Sequence, residues 1–294
     1  MRFGVVLPNC GVGDDPRAVI DLVIEAEAAG WDGAFIWDVP LGYPGFGAET
    51  QKMHEAWALF GAMAVRTDHI MLGTMITPLA WRSPVFVAKQ ASTLQALSNG
   101  RFVLSVGLGA GPDGGTYLYE EEDRRKRARM VDEGLGLLQQ LWSGEPIHFD
   151  GTYYRVRNEP VMLPVVSPRP TVWMVGAWNH DPDAWPKKKS FRRALSWDGL
   201  LPHFFRGSNM VGGEFDPDSV RALAEDIRRE RSEPFDLILE GSGENGENTP
   251  VEKVRALADA GATWFNEGIW ESMYRTPGDA TEMRERIRRG PPKI

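Results

Sequence analysis

The feature that most constrains this chain is an alternation. Short β-branched or aromatic runs begin near Phe3, Gly33, Ile70, Phe102, Thr171, Gly199, Phe235 and Thr263, and longer helical patterns fall between them. Parallel strands need a crossover of a dozen or more residues, usually a helix, so this pattern predicts βα units around a parallel sheet. Most successive starts lie roughly 30 residues apart, the span of one strand, one helix and their loops. A length of 294 residues also suits an α/β barrel, which needs about 250 plus insertions. An open eight-stranded sheet accounts for the same alternation, and the pattern alone leaves both architectures available.

The helices have readable faces and stops. In "RRKRARMVDEGLGLLQQLWSG" the apolar residues Val131, Leu135, Leu138 and Trp142 recur at helical spacing, and Gly144 follows as a terminator. In "DPRAVIDLVIEAEAAG" Asp15 is a cap before Pro16 at the first helical position, and Gly30 ends the helix. Gly30, Trp31, Asp32 and Gly33 then form a tight joint into the next strand. "SWDG" at 196–199 and "AGAT" at 260–263 are expected to do the same later. One interval, from Phe102 to Thr171, is too long for a single unit. Its surplus is "SGEPIHFDGTYYRVRNEPVMLPVVSPRP", where Asp150-Gly151 sits between two aromatic or β-branched runs, a strong hairpin signal. The expectation is one barrel domain over residues 1–294 with a β-hairpin insertion at about 143–170, after the fourth helix.

Composition narrows the class of partner. Lys and Arg number 33 against 41 Asp and Glu, a net charge of −8, which repels a nucleic-acid backbone. The basic run "RRKRAR" follows "EEED" and reads as a solvated, self-paired helix face rather than a nucleic-acid patch. The longest apolar stretch, "AWALFGAMAV", is about half a membrane span. "MRFGVVLPNC" meets Pro8 before it reaches the length of a signal-peptide core. Cys10 is the single cysteine and reads as a packed thiol, with no second one to complete a disulfide or metal pair. These features fit a cytoplasmic enzyme with a small-molecule substrate, no nucleic acid and no membrane.

Three blocks in order carry a family resemblance: "AEAAGWDGAFIWD", "RTDHIMLGTMITPLAWRSPVFVAKQASTLQALSNGRFVLSVGLG" and "DEGLGLLQQLWSGEPIHFDGTYY". Across nearly its full length the chain resembles the bacterial luciferase-like superfamily of flavin-dependent oxidoreductases. The resemblance implies a (β/α)8 TIM barrel, a homodimer, and FMN or the deazaflavin F420 as cofactor. A reduced flavin gives up a hydride or reacts with dioxygen from one ring face, so the protein must support the other face and bind the polar edge and phosphate.

The same resemblance nominates positions. A bulge with a non-prolyl cis peptide at the end of the third strand maps onto "GTMIT", making Gly73, Thr74 and Met75 cofactor-binding candidates. Asp38 closes the second strand, where relatives often carry Asp followed by His. Here Val39 follows, which removes the histidine used by F420-dependent sugar-phosphate dehydrogenases. "GAGPDG" at 109–114 matches G-x-G-x-x-G literally, but it follows the fourth strand and contains Pro112, so Gly109 reads as a close backbone approach to a ring or ribityl chain, not a dinucleotide fingerprint. Cofactor-phosphate contacts map onto Gly176, Ala177 and Trp178. Lys187 to Lys189 stand in the expected first turn of the next helix, where the macrodipole disfavours cations, so an anion is expected beside Lys187: the phosphate, or the acidic polyglutamate tail of F420.

The five histidines show no metal-ligand spacing such as H-x-H or H-E-x-x-H, which argues against a metal hydrolase. His54 and His203 follow strands on the expected catalytic face and are candidate proton donors. Trp37, Tyr43, Trp81, Trp178 and Phe204 are candidates for an apolar substrate wall. The reading is an FMN-type monooxygenase or oxidoreductase on a small organic substrate. The alternatives are an F420-dependent hydride-transfer enzyme and a catalytically idle flavin-binding protein.

Overall fold

The computed structural model describes residues 1–9, 15–38, 52–109, 121–160, 163, 166–179, 189–206, 209–210, 215–243, 247–269 and 279–294. Its strands are β1 (Arg2–Leu7), β2 (Gly33–Ile36), β3 (Met71–Thr74), β4 (Thr77–Pro78), β5 (Phe102–Gly107), β6 (Ile147–Asp150), β7 (Arg155–Glu159), β8 (Thr171–Asn179), β9 (Gly199–Arg206), β10 (Asn209–Met210), β11 (Asp236–Gly241) and β12 (Trp264–Gly268). The helices are α1 (Pro16–Ala28), α2 (Ala56–Arg66), α3 (Pro84–Leu97), α4 (Arg124–Ser143), α5 (Lys189–Leu195), α6 (Pro217–Glu230), α7 (Val251–Asp259) and α8 (Thr281–Arg288). Each expected strand start falls within one residue of an observed strand.

Eight of the strands close into a parallel ring in the order β1, β2, β3, β5, β8, β9, β11, β12 and back to β1. The chain is therefore a (β/α)8 TIM barrel. Residues alternate between the barrel interior and the helix layer because side chains on a strand have a period of two. The lower interior is filled by Phe35, Trp173 and Trp264, whose ring centroids stand 5.1, 5.9 and 5.2 Å apart, with Val103 and Ile238 beside them. Leu72, Leu104, Leu237 and Phe265 point outward and pack under the helices.

The repeated punctuation has one atomic purpose. At the first joint Gly30 is left-handed (φ 89°), Trp31 is buried with its Nε1 donating to the Ile287 carbonyl (2.9 Å), and the Asp32 carboxylate accepts the Phe3 N–H of the preceding strand (2.7 Å). At the second, Asp198 accepts the Val172 N–H (2.7 Å) and holds Arg169. At the third, Thr263 takes the aspartate's place: its hydroxyl oxygen accepts the Leu237 N–H at 2.9 Å. In each case a side chain at the helix-to-strand joint satisfies the first free backbone donor of the neighbouring strand, which fixes register at the barrel floor.

The insertion contains the expected antiparallel hairpin, β6 with β7. Its turn is longer than the Asp-Gly dipeptide suggests. Residues 151–154 close it, with the Gly151 N–H donating to the Tyr154 carbonyl, and Glu133 of α4 accepts the N–H groups of Thr152, Tyr153 and Tyr154 at 3.0, 2.7 and 2.7 Å. A tertiary carboxylate supplies what a tight two-residue turn supplies elsewhere. Of the basic run, Lys126 pairs with Glu121, as a solvated face would, but Arg127 is buried and donates to the Glu121 and Glu122 carbonyls at 2.9 Å each. No helix among the described residues is long and apolar enough to cross a membrane.

Candidate functional site

The carboxyl ends of the eight strands open into a common mouth, the place where barrels of this kind build their sites. Its two halves differ. On the β2, β3 and β5 side the wall is apolar: Trp37, Met75, Ile76 and, from β8, Val175 pack onto the interior cluster. Here β3 ends at Thr74 and the chain bulges before β4 resumes pairing with β5, and the Met75–Ile76 peptide within the bulge is cis. The Thr74 hydroxyl bridges the gap in the ladder, donating to the Ser105 carbonyl and accepting the Ser105 N–H, both at 3.2 Å. Gly73 is pressed against Val103, where a Cβ would lie 2.6 Å from a backbone oxygen. Gly107 leaves room for Ile76, since a Cβ there would stand 2.6 Å from Ile76 Cδ1.

On the β9, β11 and β12 side the wall is polar. Leu201, Ile238 and Trp264 belong to the interior cluster, so by alternation His203, Glu240 and Asn266 face the same interior two residues further up. Glu240 pairs in register with Asn266, and Asn266 with Gly4. Burial raises the Glu240 carboxyl to about 7. It keeps some contact with solvent, which on an inward-facing strand position comes through the mouth. Asn266 is fully buried, with neither Oδ1 nor Nδ2 partnered. Leaving a buried polar group unmet costs about 1–3 kcal/mol, and with no accessible surface at either atom this amide is sealed within the wall, its Oδ1 packed over Gly4. The His203 ring is exposed by area, yet burial, with Arg124 nearby, lowers its pKa. The two observations agree for a ring lining a concavity, touched by solvent but mostly surrounded by protein.

The other residues nominated from sequence are placed as follows. Asp38 is almost fully buried, and its oxygens accept Trp57 Nε1 and Thr77 Oγ1 at 3.0 Å each and pair with Arg82. Arg82 also reaches Glu55 (3.2 Å) and lies over the Trp57 ring, so Asp38 is the centre of a clamp between β2, the bulge and α2. The His54 N–H donates to the Asn9 carbonyl after β1 (2.8 Å), the Asn9 side-chain Nδ2 donates back to the His54 carbonyl (2.7 Å), and the buried His54 Nε2 has no partner. Gly109 is left-handed (φ 77°) and pressed on Trp81, 2.7 Å from where its Cβ would stand. Gly176 faces the helix layer against Leu200 and α5, and the Ala177 N–H donates to Ser190 Oγ at 3.0 Å. Trp178 turns outward: its indole N–H donates to Asp226 (2.9 Å) and its ring meets Phe204 edge-on. Trp178 and Phe204 thus pack under α6 and do not line the mouth. Lys187, Tyr43, Cys10 and residues 110–114 lie outside the described residues.

Glu240 and Asn266 were missed by reading the sequence. The available signal was a carboxylate in "DLILEG" and an amide in "WFNEG", polar residues in strands that parallel barrels bury on both faces. Among the described residues, no group of three or more His, Cys, Asp or Glu is placed to hold a metal ion.

A family model described as luciferase-like monooxygenase matches residues 1–179. The chain is 30% identical over 277 residues to an F420-dependent glucose-6-phosphate dehydrogenase of Beutenbergia cavernae, covering 87% of this chain and 79% of that protein. The enzyme of the same name from Mycobacterium tuberculosis is 32% identical over 151 residues, 50% of this chain and 44% of that one. The barrel also superposes on an F420-dependent secondary alcohol dehydrogenase in complex with an F420-acetone adduct, with a TM-score of 0.71, 16% identity, and 92% and 97% of the two chains covered. It matches the FMN-bound oxygenating constituent of 3,6-diketocamphane monooxygenase from Pseudomonas putida, a type II Baeyer-Villiger monooxygenase, with a TM-score of 0.68, 15% identity, and 98% and 96% covered.

Proposed function

Because this chain belongs to the luciferase-like monooxygenase family, we propose that it is a flavin-type oxidoreductase whose cofactor, F420 or FMN, lies across the barrel mouth against the Met75–Ile76 bulge. The observation that carries this reading is the split of the mouth. A flat conjugated ring needs an apolar support on one face and hydrogen-bonding groups at its edge and at the reacting centre. Trp37, Met75, Ile76 and Val175 provide the support, and His203 and Glu240 provide the polar groups. Gly73, Thr74 and Met75 would hold the ring through the bulge, and Gly109 would let the backbone approach it. Gly176, Ala177 and Trp178 would serve through their backbone, with Lys187 toward the phosphate. When bound, the cofactor supplies a hydride from its central ring, and FMN additionally supports reaction with dioxygen.

Asp38 contributes by position. Its clamp on Trp57, Thr77 and Arg82 fixes the end of β2 beside the bulge, so the supporting face is rigid before any ligand arrives. The B. cavernae relative, matched over most of its length, favours F420 and hydride transfer. The absence of a histidine after Asp38 separates this chain from the proton-transfer arrangement expected of sugar-phosphate dehydrogenases, and favours a different, small organic substrate; it also keeps an FMN monooxygenase as the second reading. The setting is cytoplasmic. The unit is a homodimer, supported by exposed apolar residues on the adjacent helices α2 and α3: Val65, Val85, Phe86 and Leu97.

The test is fluorescence titration of the purified protein with F420 and with FMN. Saturable binding of F420 alone is the expected result. Binding of FMN alone would transfer the assignment to oxygen chemistry, and binding of neither would overturn the cofactor reading.

A further inference from the structure

We propose that Arg82 is a positioning residue for the cofactor: by neutralising the buried Asp38 carboxylate it seats the Met75–Ile76 bulge on which the ring rests. The proposal takes the ring itself from the flavin-type reading, and the seat from the contacts around Asp38.

The bulge is fastened to the β2 side at both ends. At its entry the Met75 N–H donates to the Ile36 carbonyl (2.9 Å), a bond made by the backbone alone. At its exit the fastening is through side chains. The Thr77 hydroxyl donates to Asp38 Oδ2 at 3.0 Å, and Trp57 Nε1 donates to the same oxygen at the same distance. Thr77 and Pro78 then resume pairing with β5. The other oxygen, Asp38 Oδ1, meets Arg82. Two neutral donors do not balance a carboxylate whose side chain is 3% exposed, and among the described residues Arg82 is the cation paired with it.

Arg82 is held in turn. Its guanidinium lies 5.6 Å from the Trp57 ring centroid and reaches Glu55 at 3.2 Å, and Glu55 also caps α2 by accepting the Ala58 N–H at 2.7 Å. The pair is unequal. Arg82, 27% exposed, has Glu55 and solvent as a second environment, whereas Asp38 is closed off from solvent. Loss of the cation therefore strands a buried charge beside the bulge, while loss of the acid leaves a cation that Glu55 and water still serve. This inequality sets an order among variants that loss of packing alone does not produce.

The wild-type protein is compared with R82M, R82K, D38N and the double variant R82M/D38N. Three quantities are read: affinity by fluorescence titration with F420 and with FMN, visible circular dichroism of the bound cofactor, and the urea midpoint. R82M is expected to raise the cofactor Kd by about tenfold or more and to alter the dichroism, and D38N to raise Kd by about threefold or less. Removing the stranded charge should help, so R82M/D38N is expected to bind more tightly than R82M. R82K keeps the charge without the fork and should fall between R82M and wild type. Wild-type affinity and dichroism in R82M overturn the proposal. So does a double variant that binds no better than R82M, which assigns the loss to packing. Should R82M not fold, a double variant that folds and binds supports the proposal, and one that also fails to fold overturns it. A wild type that binds neither cofactor overturns the flavin reading and this proposal together; equal binding by wild type and R82M overturns this proposal alone.

Discussion

Two neighbouring glutamates show how much one residue of strand phase decides. Glu267 follows Asn266 on β12 and so faces the helix layer, where it meets Arg286 at 3.0 Å, with neither side chain exposed. Its oxygens also accept the N–H groups of Gly243 (2.9 Å) and Thr249 (3.1 Å), tying the segment after β11 to α8. Glu240 lies inside the barrel with no cation among the described residues. Breaking a buried pair by removing one partner strands the other charge, so Arg286→Met should destabilise the protein by about 3–5 kcal/mol in denaturant unfolding, far more than E240Q. Both residues look alike in sequence, an acid near the end of an apolar strand. Only the parity of the position, read against a known interior, tells a structural clamp from a site residue.

At the scale of elements, the joints determine register, and they do so with different residues. The helix-to-strand joint before β3 has no glycine or strand-stapling aspartate of its own. Instead Glu27, reaching from α1, accepts the N–H groups of Asp68, His69 and Ile70 at 2.9, 2.6 and 2.9 Å. Burial by itself raises the Glu27 pKa, but the three N–H donors and Arg101 more than reverse this and hold it below its ordinary value. A depressed folded-state pKa contributes stability above the unfolded value and loses it as pH falls through the folded one. Glu27→Gln should therefore be less stable than wild type at neutral pH, and the gap should close on acidification, as followed by urea midpoints. An unchanged gap would assign the effect to packing. The Gly-Trp-Asp-Gly joint was legible because its parts are contiguous; the Glu27 joint was not, because its acceptor comes from another helix.

For the whole molecule, closure of the ring brings the ends of its eight strands to one mouth, and leaves the outer faces of α2 and α3 with Phe86 at 67% and Val65 at 63% exposure. Scattered surface apolar residues are ordinary, and the homodimer proposed above requires that Val65, Val85, Phe86 and Leu97 form one face. If a second copy covers it, Phe86→Lys should shift the protein from dimer to monomer in light scattering while leaving cofactor titration intact; a wild-type monomer would remove the homodimer reading.

Local chemistry sufficed for the βα rhythm, the helix stops and the hairpin, whereas the bulge segment was legible only through the family resemblance. Periodicity, capping and turn residues act over a few positions, and all of them are visible in a string. It did not suffice for orientation. Trp178 and Phe204 looked like pocket walls and pack outward, Asp38 was nominated for the cofactor and is clamped by Arg82 and two other donors, and Glu240 and Asn266 drew no notice. Which face of a strand looks inward depends on how eight strands close and in what register, and that is a property of the assembled ring, since a shift of one residue reverses every side chain along a strand.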